Sequence, residues 1–251
     1  MVKLSNRLQM IADRVPNGSR IADIGSDHAL LPTYLAKDGR ITFGVAGEVN
    51  PGPFDAASRQ VLECGLSKVI SVRLGDGLAV IEPGEVDVIT IAGMGGSLMA
   101  SILDAGKNKL ANVSLLILQP NVGEDQVRRW LDENGWRLTS ETILEEDGKI
   151  YEILTAVPQK SSEDPDLYQS RVLDEKVTLT KQRLLLMGPY LVEEASEVLI
   201  RKWESELQKL DMIQAQLAHS TAEASKAKAL AIGNEIKEIR EVLDCLRKVK
   251  R

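Results

Sequence analysis

From Ser19 to about Pro158, short apolar runs alternate with segments of helical period. Residues 20–24, 42–48 and 70–74 are strand-length runs, and residues 86–92 and 113–118 are almost continuously apolar. The last two have the pattern of strands covered on both faces of a parallel sheet. Between the runs, residues 55–64 and 123–132 carry apolar side chains three and four apart among good helix formers. Strand–helix alternation of this kind predicts right-handed βαβ units and a doubly wound, Rossmann-like α/β sheet. Asp147-Gly148 separates two strand-like runs, 136–146 and 149–157. Asp-Gly between such runs is a hairpin signal, so the sheet is expected to close with an antiparallel pair.

Beyond residue 160 the period changes. Apolar residues recur at Leu199, Trp203, Leu207, Leu210, Ile213 and Leu217, and again at Ile232, Ile236, Ile239, Leu243 and Leu246. This heptad-like spacing predicts an antiparallel coiled-coil hairpin. Ser220-Thr-Ala-Glu223 reads as a capping box opening its second helix. A further helix is expected over about 167–187. The two patterns divide the chain into an α/β domain, 1–160, and a helical domain, 161–251.

Composition changes this picture little. Hydrophobic residues are 43% and aromatics 4%, so the cores must be aliphatic. Two cysteines, Cys64 and Cys245, and two histidines, His28 and His219, provide neither a disulfide framework nor a metal-ligand spacing. No metal is expected. The first residues are polar, and no run of about 20 apolar residues exists to span a membrane. A cytoplasmic protein is expected, working as a monomer. Lys plus Arg number 31 against 37 Asp plus Glu, a net charge of -6, which does not announce a nucleic-acid binder. The imbalance is uneven, however. Residues 1–160 hold 16 cations against 21 acids, and residues 161–251 hold 15 against 16. Arg240, Arg247, Lys248, Lys250 and Arg251 crowd the last turns, as a solvated helix face or as a surface for RNA.

Five polar or glycine-rich motifs fall at the expected carboxyl ends of strands, where open α/β sheets bind ligands. After the first strand comes Asp23-Ile-Gly25-Ser26-Asp27-His28, whose glycine lets backbone approach a ligand closely. It lacks the GxGxxG spacing of dinucleotide binders. Glu48 ends the second strand, 23 residues after Gly25, where an acid accepts from ribose hydroxyls. Otherwise it is a solvated strand-end acid. Asp76-Gly77 follows the third strand, either as an ordinary turn or as an acceptor for an adenine amino group beside a backbone N–H. Ala92-Gly93-Met94-Gly95-Gly96 follows the fourth, with more glycine than a tight turn requires. Gln119-Pro120-Asn121 ends the fifth, as a stop signal or as part of the same crevice.

Taken together, Asp23 to His28, Gly47-Glu48 with Gly52-Pro53, Gly75 to Leu78, Ala92 to Gly96 and Gln119 to Asn121 resemble the bacterial tRNA (adenine-22-N1)-methyltransferases. The resemblance begins at Lys3-Leu-Ser-Asn-Arg7 and extends to the helical hairpin. Leu30 and Phe54 depart from it, at places where aromatic residue and Tyr are usual. It implies a class I methyltransferase that moves a methyl group from S-adenosylmethionine to N1 of an adenine in the D-arm region of tRNA. Cofactor contacts then fall to Asp23, Gly25, Ser26, Glu48, Asp76, Gly77, Ala92, Gly93, Met94 and Gly95. Asp27 becomes the first candidate for catalysis, supported by His28 and Asn121. A methyltransferase acting on a small molecule or a protein, and a non-catalytic coiled-coil interaction protein, are the alternatives from the residues alone.

Overall fold

The computed structural model describes residues 3–159, 166–175, 177–218 and 222–249. The chain divides into two compact units, Met1–Pro165 and Asp166–Arg251. The expected boundary at 160/161 and the residues of the expected capping box before Ala222 lie outside the described residues.

The first unit is one seven-stranded sheet of order β3-β2-β1-β4-β5-β7-β6. Its parallel strands are β1 (Ser19–Ile24), β2 (Ile41–Glu48), β3 (Ile70–Leu74), β4 (Val88–Gly95) and β5 (Leu115–Val122). The hairpin of β6 (Trp136–Glu146) and β7 (Lys149–Pro158) closes the sheet, with β7 antiparallel to β5. Its turn residues Asp147 and Gly148 both have positive φ, 52° and 71°, which is what a right-twisted two-residue turn requires. Helices α1 (Asn6–Ala12) and α2 (Leu30–Lys37) bury Ile11, Ala12, Leu31 and Leu35 against Ile21, Val88, Ile117 and Ile153 of the sheet. Helix α3 (Pro51–Glu63) sets Ala57 and Val61 against Ala46 and Ile70. Helices α4 (Gly96–Ala105) and α5 (Glu124–Glu133) pack on each other and along β4, β5 and β6.

One buried group stands out from this aliphatic core. Arg128 of α5 is 0% exposed. Its Nε donates to Glu141 of β6 at 2.6 Å, and its Nη2 pairs with Glu152 of β7. Ile143 faces Glu152 across the hairpin, so Glu141 and Glu152 lie diagonally on one face. The guanidinium therefore pins the helix to both antiparallel strands.

In the second unit the single helix expected over 167–187 is not formed. The segment contains a two-stranded ribbon, β8 (Arg171–Asp174) and β9 (Val177–Leu179), then α6 (Lys181–Met187). Val177 and Leu179 are buried and Thr178 is exposed, the two-residue period of a strand. Thr180 then caps α6, its hydroxyl accepting from the Arg183 N–H at 3.3 Å. Gly188, with φ 87°, and Pro189 end α6 and start α7 (Pro189–Glu194).

Helices α8 (Glu197–Ala218) and α9 (Glu223–Val249) form the antiparallel pair. Glu204 meets Arg247, Asp211 meets Arg240 and Gln214 meets Ala229, so residue numbers rise along one helix as they fall along the other. Leu199, Trp203 and Leu207 are buried with Ile232, Ile236, Ile239, Leu243 and Leu246. The seam opens toward the far end, where Ile213 is 41% exposed. Arg240 and Arg247, expected as part of a basic face, are thus engaged with acids of α8. Lys250 and Arg251 lie outside the described residues.

Candidate active site

The strand order reverses between β1 and β4, and the crevice of an open α/β sheet lies at such a point, beyond the carboxyl ends. The loop after β1 is held there by backbone. Gly25 and Ser26 both donate N–H to the Gly47 carbonyl of β2, at 2.9 and 3.2 Å. Asp23 is buried and accepts from Ser26 Oγ at 2.5 Å and Thr90 Oγ1 at 2.6 Å. Burial raises its carboxyl above the usual range, and the two hydroxyls act against that. Asp23 and Ser26 thus spend their side chains on each other. Thr90, on β4, was not singled out by the sequence.

The next three residues, Asp27, His28 and Ala29, have φ of 43°, 65° and 55°. Left-handed conformation in consecutive non-glycine residues is costly and persists only where the surroundings impose it. Ala29 is the N-cap of α2 and contributes no side-chain hydrogen bond, so Asp27 is not a helix cap. The Asp27 carboxylate is 86% exposed, with His28 Nε2 at 3.6 Å.

Glu48 is only 6% exposed at the end of β2, and its Oε1 has no hydrogen-bond partner. Its carboxyl is raised chiefly by burial, then by the charges of Asp23 and Asp27, while the Asp27 backbone N–H opposes the shift. A buried carboxylate oxygen left unpaired is unfavourable unless a ligand completes it. Asp76 is exposed beyond β3, just before a 3₁₀ turn, Gly77–Val80; the preceding Gly75 N–H donates to the Glu48 carbonyl at 2.8 Å.

On the other side of the crevice, β4 and β5 run further than their apolar runs suggested. The Gly-Met-Gly and Gln-Pro-Asn motifs are strand residues that pair with each other irregularly, with register shifts on both sides of Met94. Two side-chain amides replace the missing ladder bonds at Gly93, whose φ is 78°. The Gly93 N–H donates to Gln119 Oε1 at 3.2 Å, and its carbonyl accepts from Asn121 Nδ2 at 2.8 Å. Asn121 Oδ1 accepts in turn from Gln119 Nε2 at 3.1 Å. Asn121 therefore holds the backbone beside the crevice. Gly96 is required by packing, since a Cβ there would lie 1.9 Å from the Gly123 carbonyl oxygen. Gly95 is required by neither: its φ is -75°, and a Cβ would meet only Val122 at 4.0 Å.

A cavity of about 360 Å³ collects many of these groups. Asp23, Gly25, Ser26 and Asp27 line it from the β1 loop, and Ala92, Gly93, Met94 and Asn121 from β4 and β5. His28, Glu48, Asp76, Gly77 and Gly95 are not among its lining residues. Arg7 of α1 and Tyr151 of β7 also line it, and no motif along the chain marks a role for either. Arg7 stood only within the N-terminal stretch that carried the resemblance, and Tyr151 carries no local signal. Among the described residues, no group of three His, Cys, Asp or Glu is placed to hold a metal ion, and no helix is long and apolar enough to cross a membrane.

Residues 21–241 match the family model described as tRNA (adenine(22)-N(1))-methyltransferase. This chain belongs to that family. It is 43% identical to the tRNA (adenine(22)-N(1))-methyltransferase of Bacillus subtilis (strain 168), over 97% of this chain and 98% of that protein. The crystal structure of the B. subtilis m1A22 tRNA methyltransferase superposes with a TM-score of 0.86 at 42% identity, covering 97% of this chain and all of the other. A Streptococcus pneumoniae protein described as a putative tRNA (m1A22) methyltransferase, in complex with S-adenosyl-L-methionine, superposes at 0.80 with 39% identity over 96% of this chain and all of that one. In this tRNA (adenine(22)-N(1))-methyltransferase family member, the acids Asp23, Asp27 and Glu48 gather at the ends of β1 and β2. The amide clamp on Gly93 faces them across the switch point.

Proposed function

We propose that this chain methylates N1 of adenine 22 in tRNA, using S-adenosylmethionine. The observation that carries this, beside membership of the family, is Glu48: a buried strand-end carboxylate with a free oxygen, fitted to ribose hydroxyls. Asp76 accepts from the adenine amino group of the cofactor, with the Gly77 N–H beside the ring. Asp23 and Ser26 hold the β1 loop, where Gly25 lets the backbone approach. Ala92, Gly93, Met94 and Gly95 form the opposite wall. S-adenosylmethionine, when bound, supplies an electrophilic methyl group on a sulfonium.

Adenine N1 keeps its lone pair at neutral pH, so the chain needs no strong base to create the nucleophile. It must align the base and accept the positive charge that passes to the purine ring. Asp27 offers an exposed carboxylate at the mouth of the cavity to stabilise that charge or take up the N6 proton. His28 supports Asp27, and Asn121 keeps the Gly93 backbone in place. The working unit is a monomer in the cytoplasm, where its tRNA is. Mass spectrometry of nucleosides from tRNA incubated with protein and cofactor tests the reading. 1-methyladenosine at position 22 is the expected product, and its absence overturns the assignment.

Two further results are expected. Glu48→Ala and Asp76→Ala should each weaken cofactor binding by roughly 10- to 100-fold in calorimetry. Because burial raises the Glu48 carboxyl, wild-type affinity should fall on acidification through a window above the ordinary Glu value of about 4.3. The sign follows from the ionised form being the better acceptor, and Glu48→Gln should remove that pH dependence. For the domains, we assign cofactor binding and catalysis to 1–160 and tRNA engagement to 161–251. A chain ending at Gln159 should then bind S-adenosylmethionine normally and lose most tRNA methylation; equal turnover would give the hairpin another role.

A further inference from the structure

Among the described residues that line the 360 Å³ cavity, Arg7 is the only cation. Two contacts hold its side chain there, and its helix is fixed as well. Its guanidinium lies over the Tyr151 ring, 5.2 Å from the centroid. Its Nη1 donates to Gln119 Oε1 and stands 3.9 Å from where a Gly93 Cβ would be. Its helix is anchored at the start, where the Asn6 N–H donates to Glu146 at 2.5 Å and Ser5 caps the Leu8 N–H.

A purely structural role leaves two observations without a cause. Gln119 Oε1 already accepts from the Gly93 N–H, so the clamp does not need a guanidinium. Arg7 also forms no ion pair with any described residue, although it shares the cavity with Asp23 and Asp27. A guanidinium has five N–H donors, and one is used on Gln119. The remaining donors, on a group held over an aromatic ring, can grip an oxyanion such as a carboxylate or a phosphate through two N–H groups at once.

We infer that Arg7 is an oxyanion clamp at the cavity mouth. The inference rests on the proposed reaction, which brings two such groups to this crevice. One is a backbone phosphate of the target nucleotide, which must leave its stack before N1 can be reached. The other is the carboxylate of the methionyl end of the cofactor. Arg7 positions its ligand and takes no part in bond making.

The test uses the full chain, with Arg7→Gln and Arg7→Lys compared with wild type. Calorimetry with S-adenosylmethionine and the salt dependence of tRNA binding are measured for each, with thermal melts to confirm folding. Phosphate clamping predicts that Arg7→Gln leaves cofactor affinity within about twofold. It should raise KM for tRNA roughly 10-fold and reduce the slope of log K against log salt by about 0.7–0.9, the value of one phosphate contact. Carboxylate clamping predicts a loss of cofactor affinity of roughly 10-fold with the salt slope unchanged. In either arm Arg7→Lys restores part of the loss, because it keeps the charge without the planar fork. Unchanged cofactor affinity together with an unchanged salt slope overturns the clamp, whatever happens to kcat. Wild-type protein that produces no 1-methyladenosine in tRNA overturns the reaction itself, a separate outcome.

Discussion

Asp27→Asn is expected to lower kcat for tRNA methylation by about 10²-fold or more, with little change in cofactor affinity or in melting temperature. The substitution is close to isosteric, and Asn tolerates the left-handed conformation that Asp27 adopts, φ 43°. Its structural consequences should be small. Helix α2 is capped at Ala29 without a side-chain bond, so no cap is lost. The contact with His28 is exposed at 3.6 Å, and exposed pairs contribute little. What the variant removes is negative charge at the mouth of the cavity, where the product ring becomes cationic. Its effect therefore belongs to the transition state and should appear in single-turnover rates. His28→Ala should do less, since it removes support and leaves the carboxylate. Near-normal turnover by the Asn variant would falsify the catalytic role.

Arg128→Met is expected to destabilise the α/β unit by about 3–5 kcal/mol, read from denaturant or thermal unfolding. The side chain is fully buried and bridges Glu141 and Glu152, both 0% exposed along their side chains. Without it, two carboxylates are left in the core without their shared cation, and neither can reach water. For a unit of this size the loss corresponds to a melting point lowered by roughly 6–20 °C. The triple variant Arg128→Met, Glu141→Leu, Glu152→Leu should recover most of the stability, because an apolar replacement of a whole buried ion cluster is close to neutral. If the single substitution costs under 1 kcal/mol, the bridge does not hold the hairpin to α5.

Much of the architecture is local in origin, and so was legible along the chain. Two-residue and three-to-four-residue periods depend on near neighbours, and they placed the strands of the α/β unit and its helices α3 and α5. Asp147-Gly148 marked the antiparallel end, because few other residue pairs adopt two positive φ angles at low cost. Where local signals compete, the period along the chain does not decide the element. Over 167–187, helix-forming residues outweighed the two-residue alternation of Val177-Thr178-Leu179, and tertiary pairing with β8 decided for strand.

The sequence by itself therefore determined the succession of the sheet strands, the two long helices of the second unit and the motifs that stand at the carboxyl ends of the strands. Tertiary structure alone decided what those motifs do to one another. Gly93 is clamped by amides 26 and 28 residues away, and Arg7 reaches Gln119 across 112 residues. Tyr151 enters the cavity only because β7 lies antiparallel beside β5. The orphan oxygen of Glu48, the mutual hydrogen bonding of Asp23, Ser26 and Thr90, and the burial of Arg128 are likewise properties of packing. The physical reason is the same in each case. Hydrogen bonding and desolvation depend on which groups meet in space, and a period along the chain records only which way each side chain faces.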